Sequence, residues 1–178
     1  MVRYIAFLRG INISGKNKIA MSDLKKGFED AEFSDITTYL NSGNVLFTSN
    51  TDNDAEVIEL VERMINEKFG LTIPVYIIKY EELKDVLKHA PQWWGTEDKE
   101  KYHNLIFVLS SDRAEDICNM IGEPTKDLEV ISIYQNVIFW TFDRKSYAKC
   151  NWWKKTASVG IGEKLTIRTA NTVKKIGN

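Results

Sequence analysis

The sequence predicts an α+β fold in which one order of strands and helices occurs twice. Three observations indicate this fold. Apolar and β-branched runs of strand length alternate with segments whose apolar residues recur at helical spacing. Turn-forming residues separate consecutive strands. The series strand, helix, strand, strand, helix, strand fits each half of the chain. The 178 residues suffice for one large domain or two small ones, and a hydrophobic fraction of 43% is enough for a folded core.

Periodicity and capping residues define the elements of the first half. The predicted strands are residues 3–8, 36–40, 45–48 and 73–78. We expect the first helix to begin at Ser22 as its N-cap, and the second to be capped by Asn53 or Thr51 and stopped by Gly70. Pro74 places the fourth strand at a sheet edge, because proline cannot donate a hydrogen bond to a neighbouring strand.

The second half has the same order of elements. Its predicted strands are residues 103–109, 128–133, 136–142 and 165–168, with helices after the first and third strands and a final helix from Asn171. The order βαββαβ is that of the ferredoxin-like fold, with antiparallel sheets and helices on one face, and its recurrence indicates a duplication. We therefore predict a first half at residues 1–79, a connecting helix and linker at 80–102, and a second half at 103–178.

The main candidate site is the polar loop between the first strand and the first helix. It reads Arg9-Gly10-Ile11-Asn12-Ile13-Ser14-Gly15-Lys16-Asn17-Lys18. Two glycines permit close backbone approach, and three cations beside backbone N–H groups suit phosphate or another anion. The spacing resembles a P-loop, but Asn17 stands where the magnesium-binding hydroxyl would be. An anion-binding loop and a purely structural loop, in which Asn and Ser satisfy their own backbone, both remain open.

A second polar segment, the turn at residues 41–44, is predicted to meet this loop. The first two strands of a βαββαβ unit run in the same direction, so the segments that follow them emerge at one sheet edge. In the second half the corresponding loop, residues 110–113, is short. We add two polar residues near the start of the last helix, whose N–H groups can face an anion. The predicted ligand-binding residues are Arg9, Gly10, Asn12, Ser14, Gly15, Lys16, Asn17, Ser42, Gly43, Asn44, Arg168 and Asn171.

The charge distribution supports a second hypothesis. The net charge is only −1, yet residues 144–178 contain nine basic residues and one acidic residue. Together with Trp152 and Trp153, this region favours a nucleic-acid-binding module. A solvated basic surface explains the same pattern. The sequence thus predicts either a small phosphate-bearing or other anionic ligand at the edge formed by loop 9–18 and turn 41–44, or a nucleic-acid partner for residues 144–178.

Other features exclude some functional classes. No apolar run approaches the ~18 residues of a membrane span, and no secretory signal is present, so we predict a cytoplasmic protein without membrane contact. Cys118 and Cys150 are isolated, as expected of free thiols in a reducing compartment. His89 and His103 do not have the spacing of metal ligands, and we predict no metal site. Catalytic residues, enzymatic activity, cofactor and oligomeric state are not determined by the sequence.

The residues of loop 9–18, followed by Met21-x-x-Leu24 and by the polar and apolar pattern of residues 38–47, resemble the bacterial family catalogued as "domain of unknown function 1697". This resemblance implies a cytoplasmic α+β protein of two ferredoxin-like halves, without an established activity. The carboxy-terminal signature of that family resembles Thr-x-Arg-Asn-Trp-Asn-Thr. Here residues 166–172 keep its Thr, Arg, Asn and Thr, but Thr169 and Ala170 replace the Asn-Trp pair.

Overall fold

The computed structural model describes residues 1–109 and 111–178, so Ser110 of the predicted loop 110–113 lies outside the described residues. The chain divides into two compact units, Met1–Leu83 (unit 1) and Lys84–Asn178 (unit 2). Helix α3 (Tyr80–Lys88) begins in unit 1 and ends in unit 2. The elements that precede it are β1 (Val2–Leu8), α1 (Met21–Asp30), β2 (Ser34–Tyr39), β3 (Asn44–Ser49), α2 (Asp54–Phe69) and β4 (Val75–Lys79).

Unit 2 repeats this series. Its elements are β5 (Lys101–Val108), α4 (Ala114–Ile121), β6 (Glu129–Tyr134), β7 (Val137–Asp143), α5 (Asn151–Thr156), β8 (Leu165–Thr169) and α6 (Ala170–Gly177). The two four-stranded antiparallel sheets have the strand orders β2-β3-β1-β4 and β6-β7-β5-β8. These orders are equivalent strand for strand, and each fourth strand leads directly into a helix. The predicted duplicated ferredoxin-like α+β fold is therefore confirmed.

One face of each sheet packs against the two helices that connect its strands. In unit 1 the alternating residues Tyr4, Ala6 and Leu8 of β1 belong to the same core as Phe28 of α1 and Val61 of α2. Strand residues two apart share a face, which explains why every second residue of β1 enters this core.

In unit 2, Ile106 and Val108 of β5 occupy the equivalent positions. They share a core with Ile117 of α4 and Trp152 of α5. Trp152 is fully buried, and its indole Nε1 donates a hydrogen bond to the Gly122 carbonyl at 2.9 Å. This bond stabilises the core, because an unpaired N–H there is costly.

Most local signals of unit 1 predicted their elements correctly, with one exception. Asn53 caps α2, Gly70 ends it in a left-handed conformation, and Pro74 precedes the edge strand β4. The expected N-cap of α1 at Ser22 was wrong, because that helix begins at Met21 with Ala20 as a cap that makes no side-chain hydrogen bond. Within residues 1–109 and 111–178, no helix is both long enough and apolar enough to cross a membrane.

Candidate functional site

Loop 9–18 is folded into a small β-hairpin, which the sequence did not predict. Ile13 and Lys16 form an antiparallel bridge, in which the Lys16 N–H donates to the Ile13 carbonyl at 2.9 Å. One step further out, the Asn12 N–H donates to the Asn17 carbonyl at 3.1 Å. Ser14 and Gly15 between them have φ values of 51° and 75°, as two-residue hairpin turns require. We call residues 9–18 the polar hairpin.

The side chain of Asn12 attaches the polar hairpin to the rest of unit 1. Its Nδ2 donates to the carbonyls of Ile19 at 2.9 Å and Asn41 at 2.8 Å, while its Oδ1 accepts from the Ile19 N–H at 2.9 Å. The bond to Asn41 joins loop 9–18 and turn 41–44, which meet as predicted at the end of the sheet where β1 and β2 end. Because these bonds engage both ends of the amide, Asn12 orders the site and has little capacity left for a ligand.

Turn 41–44 packs against the polar hairpin. Gly43 has a φ of 79°, and a Cβ at this position would lie 2.7 Å from Ile11 Cδ1. The side chain of Asn44 is buried and donates to the Tyr39 carbonyl at 2.7 Å and to Ser42 Oγ at 3.0 Å. Gly43 and Asn44 therefore face the interior of the turn, and their geometry indicates a positioning role.

A shallow cavity lies on each side of the polar hairpin, where the sequence predicted one site. The first has a volume of about 320 Å³ and lies between the hairpin and the segment before β4; we call it the Arg9 cavity. The second, of about 420 Å³, lies between the hairpin and the start of α1 and includes Lys18 and Asn41; we call it the Lys18 cavity. The predicted residues in the Arg9 cavity are Arg9, Gly10, Ser14, Lys16 and Asn17. Asn12 and Gly15 line the Lys18 cavity.

The Arg9 cavity has more positive charge than the Lys18 cavity, whose described lining includes Lys18 as its one cation and likewise no carboxylate. Its lining contains Arg9 and Lys16 but no aspartate or glutamate. The Arg9 N–H donates to the Pro74 carbonyl at 3.0 Å, and Asn17 Nδ2 donates to the Gly10 carbonyl at 3.0 Å. The first bond attaches the start of the hairpin to the backbone before β4, and the second joins the two arms of the hairpin. The cavity therefore combines an ordered wall with two cations.

The two remaining predicted residues lie in unit 2. Arg168 is only 7% exposed, and its Nη1 donates to Thr166 Oγ1 at 2.9 Å and to the Ile167 carbonyl at 3.0 Å. Burial lowers the pKa of its guanidinium to about 10, so it stays charged at neutral pH. Asn171, at the start of α6, is exposed and lines a separate cavity. The structure thus places Arg168 within a buried strand and Asn171 at a surface opening.

The cavity that Asn171 lines has a volume of about 300 Å³, and we call it the His103 cavity. It includes functional groups that the sequence analysis missed. Lys101, His103 and Arg144 contribute to its lining. Lys101 and His103 are two residues apart on β5 and therefore share a face, which was the available sequence signal. Arg144 joins them because β7, which ends one residue earlier, pairs with β5 so that Asp143 lies opposite Lys101.

The described residues define a duplicated ferredoxin-like protein whose first repeat has an ordered polar hairpin. The chain belongs to the family described as "Protein of unknown function (DUF1697)", whose model matches residues 1–139. This confirms the resemblance found in the sequence. None of the curated proteins matches the chain.

One solved structure shares the fold over nearly its whole length. The conserved bacterial protein SP0830 from Streptococcus pneumoniae is similar at 28% identity and a TM-score of 0.85, over 99% of this chain and 97% of that one. The first two RRM domains of the yeast poly(U) binding protein Pub1 align at 15% identity over 96% of this chain and 99% of that one. Their TM-score of 0.25 is too low to support any inference about fold or ligand.

Proposed function

We propose that this protein binds a small phosphate-bearing or other anionic ligand at loop 9–18, in the Arg9 cavity beside residues 72–74 rather than beside turn 41–44 as the sequence predicted, and that it does so in the cytoplasm. The observation that carries the proposal is the presence of both Arg9 and Lys16 in the lining of this cavity, where the described residues include no carboxylate. Free thiols at Cys118 and Cys150 support the cytoplasmic location, since disulfides are rare in that compartment.

The polar hairpin has a fixed conformation, and this favours ligand binding. Binding is weakened when a loop must be ordered by its ligand, and a wall that is already fixed avoids that cost. Asn12 and Asn17 fix this wall through side-chain bonds to the backbone. Lys16 and Ser14 are exposed at the hairpin tip and can reach an anion from solvent. Charge-assisted hydrogen bonds from such groups to phosphate are the strong ones in proteins.

The basic residues of the region 144–178 give less support to a nucleic-acid partner. Lys145 Nζ is 2.7 Å from Glu100 Oε1, and Lys164 Nζ is 2.7 Å from Asp112 Oδ2. Arg168 is buried, as described above. These pairings reduce the positive charge that the region presents to a phosphate backbone. We therefore place the small anion first and the nucleic acid second.

An NMR titration tests the proposal, because the amide signals of residues 9–18 report binding at the polar hairpin alone. The probes are inorganic phosphate, AMP and glucose 6-phosphate, compared between the unsubstituted chain, Lys16→Ala and Lys18→Ala. We expect Lys16→Ala to weaken binding of the best probe roughly tenfold, since a hydrogen bond to a charged group contributes ~1.5–3 kcal/mol. Lys18→Ala removes the same charge from the neighbouring Lys18 cavity and should change the affinity less than about twofold.

Equal effects of the two substitutions would show general electrostatic attraction and contradict the assignment to the Arg9 cavity. Perturbations by all three probes that avoid residues 9–18 would reject the proposed site altogether. A short single-stranded oligonucleotide tests the second hypothesis. Binding that perturbs residues 144–178 and weakens steeply with added salt would instead favour a nucleic-acid module.

A further inference from the structure

Unit 2 contains a further shallow cavity, which differs from the others in its aromatic lining. It has a volume of about 330 Å³, and we call it the Trp153 cavity. Four of its lining residues are aromatic: Tyr102, Trp140, Phe142 and Trp153. The described lining includes no charged residue, so an uncharged ligand fits this cavity better than an anion does. Ligand cavities span ~300–1,000 Å³, and one at the lower end of that range suits a single small ring system.

Strand register places one wall of this cavity on a single face of the sheet. Tyr102 and Asn104 are two residues apart on β5, and their partners on β7 are Phe142 and Trp140. Residues that are two apart on a strand, or directly opposite on its neighbour, share a face. The ring contacts agree, because the centroid of Phe142 lies 5.4 Å from that of Tyr102 and 4.7 Å from that of Trp140. Phe142 and Trp140 belong to the same core as Trp152 of α5, so this is the face that α5 covers.

Helix α5 provides the opposite wall, and Trp153 is its exposed ring. Trp153 is 39% exposed, and its ring centroid lies 4.8 Å from that of Tyr147. The buried carboxylate of Glu129 holds the start of this helix, because it accepts from the N–H groups of Trp152 at 3.1 Å and Trp153 at 3.2 Å. A flat ligand can therefore cover the exposed part of the indole without first ordering the helix.

Two polar side chains that line the cavity have no hydrogen-bond partner among the described residues. Asn104 is only 7% exposed; its backbone carbonyl accepts from Trp94 Nε1 at 2.7 Å, but its side-chain amide makes no hydrogen bond within that part of the chain. Trp140 is 3% exposed, and its indole N–H likewise has no acceptor there. Buried polar groups are nearly always paired, so a site with two unpaired ones favours a ligand that supplies a partner.

The amide of Asn104 indicates which ring system fits. An asparagine side chain presents an acceptor and a donor side by side. Adenine has the complementary edge, because its amino group donates and its adjacent ring nitrogen accepts, and asparagine reads it in this way. Adenine is also flat and uncharged, and bases stack on exposed aromatic side chains. The cavity thus matches adenine in shape, in charge and in hydrogen-bonding pattern.

We propose that the Trp153 cavity binds an uncharged adenine base, which stacks on Trp153 and pairs its amino edge with the side-chain amide of Asn104. Tyr102 forms a fixed side wall, since its ring contacts Phe142 and the guanidinium of Arg144, whose Cζ is 4.3 Å from the ring centroid. Every group in this site belongs to unit 2, so the proposal does not rest on the Arg9 cavity.

An NMR titration with adenosine tests the proposal. The chain contains five tryptophans, whose indole N–H signals can be followed one by one. We expect adenosine to shift the signals of the Trp153 indole and of the Asn104 side-chain amide, and to leave the amide signals of residues 9–18 in place, because it carries no phosphate. Purine riboside, which lacks the amino group, should bind about tenfold more weakly, since the Asn104 carbonyl oxygen then has no donor.

Substitutions at the two contacting residues test each interaction separately. Trp153→Ala should weaken adenosine binding about tenfold through the loss of stacking, whereas Trp153→Phe keeps an aromatic ring and should retain most of the affinity. Asn104→Leu keeps a side chain of similar size and should make adenosine and purine riboside bind equally. Lys154→Gln is the matched control: it changes the exposed neighbour of Trp153, outside the described lining, and should leave the affinity for an uncharged ligand unchanged.

Equal affinities of the unsubstituted chain for adenosine and purine riboside would overturn the pairing with Asn104, and this result does not depend on the folding of any variant. Equal losses in Trp153→Ala and Lys154→Gln would overturn the stacking, with thermal unfolding to confirm that both variants are folded. Sedimentation tests the other occupant of such a surface, a second copy of the chain. If the unsubstituted chain is a dimer that does not bind adenosine and Trp153→Ala is a monomer, the cavity is a contact between copies and the proposal is wrong.

Discussion

At the scale of single residues, Asn12 determines how unit 1 presents its polar residues to solvent. Its φ of 55° lies in the left-handed region, where asparagine is tolerated better than most side chains. In that conformation one amide reaches two backbone segments, Ile19 on its own loop and Asn41 on the neighbouring turn. The order of the polar hairpin therefore depends on a side chain that a ligand need not touch.

Substitution of Asn12 separates its hydrogen bonds from its backbone conformation. Asn12→Ala loses the three side-chain hydrogen bonds. It also leaves alanine at a positive φ, without the amide whose hydrogen bonds offset the strain in asparagine. We expect the free energy of unfolding to fall by about 2–4 kcal/mol, at ~1 kcal/mol per bond and ~1 kcal/mol for the backbone. Asn12→Gly loses the same bonds without the backbone cost, so urea unfolding should show a smaller loss.

The opposite order of stability of the two variants would contradict this expectation. If Asn12→Gly is the less stable of the two variants, the loss of conformational entropy in glycine outweighs the relief at positive φ. Losses below about 0.5 kcal/mol in both variants, the usual range of surface substitutions, would show that the bonds to Ile19 and Asn41 do not hold the hairpin.

At the scale of secondary structure, the starts of α1 and α2 show when a local signal suffices. Asn53 Oδ1 accepts from the Ala55 and Glu56 N–H groups at 3.1 and 3.3 Å, so the cap of α2 lies within its own sequence. Helix α1 begins without a side-chain cap, and just ahead of it Asn12 fixes both the N–H and the carbonyl of Ile19. We infer that this tertiary contact, and not the local preference of Ser22, sets the start of α1.

Alanine substitution at the two predicted caps tests this difference. Asn53→Ala should lower the free energy of unfolding by about 1 kcal/mol, because two N–H groups at the start of α2 lose their acceptor. Ser22→Ala should change it by less than about 0.5 kcal/mol, as at ordinary exposed positions. Chemical unfolding of both variants at one pH checks the prediction. A larger loss of unfolding free energy in Ser22→Ala would show that Ser22 caps α1, as the sequence indicated.

The same reasoning explains which parts of the candidate sites could be predicted. The meeting of loop 9–18 with turn 41–44 follows from strand direction alone. The hairpin within the loop does not, because Asn12, Ser14 and Asn17 adopt positive φ and the two asparagines do so with side-chain bonds to neighbouring backbone. The His103 cavity required the register of β5 against β7, which brings residues about forty positions apart in sequence together.

At the scale of the whole molecule, the two repeats have equivalent sheets but candidate sites at opposite ends of them. The polar hairpin follows the carboxy-terminal end of β1. The His103 cavity lies at the amino-terminal end of β5, the strand equivalent to β1, and next to the ends of β7 and β8. A duplication that kept one ancestral site would place both at the same end. The repeats have therefore retained the fold and diverged in their polar surfaces.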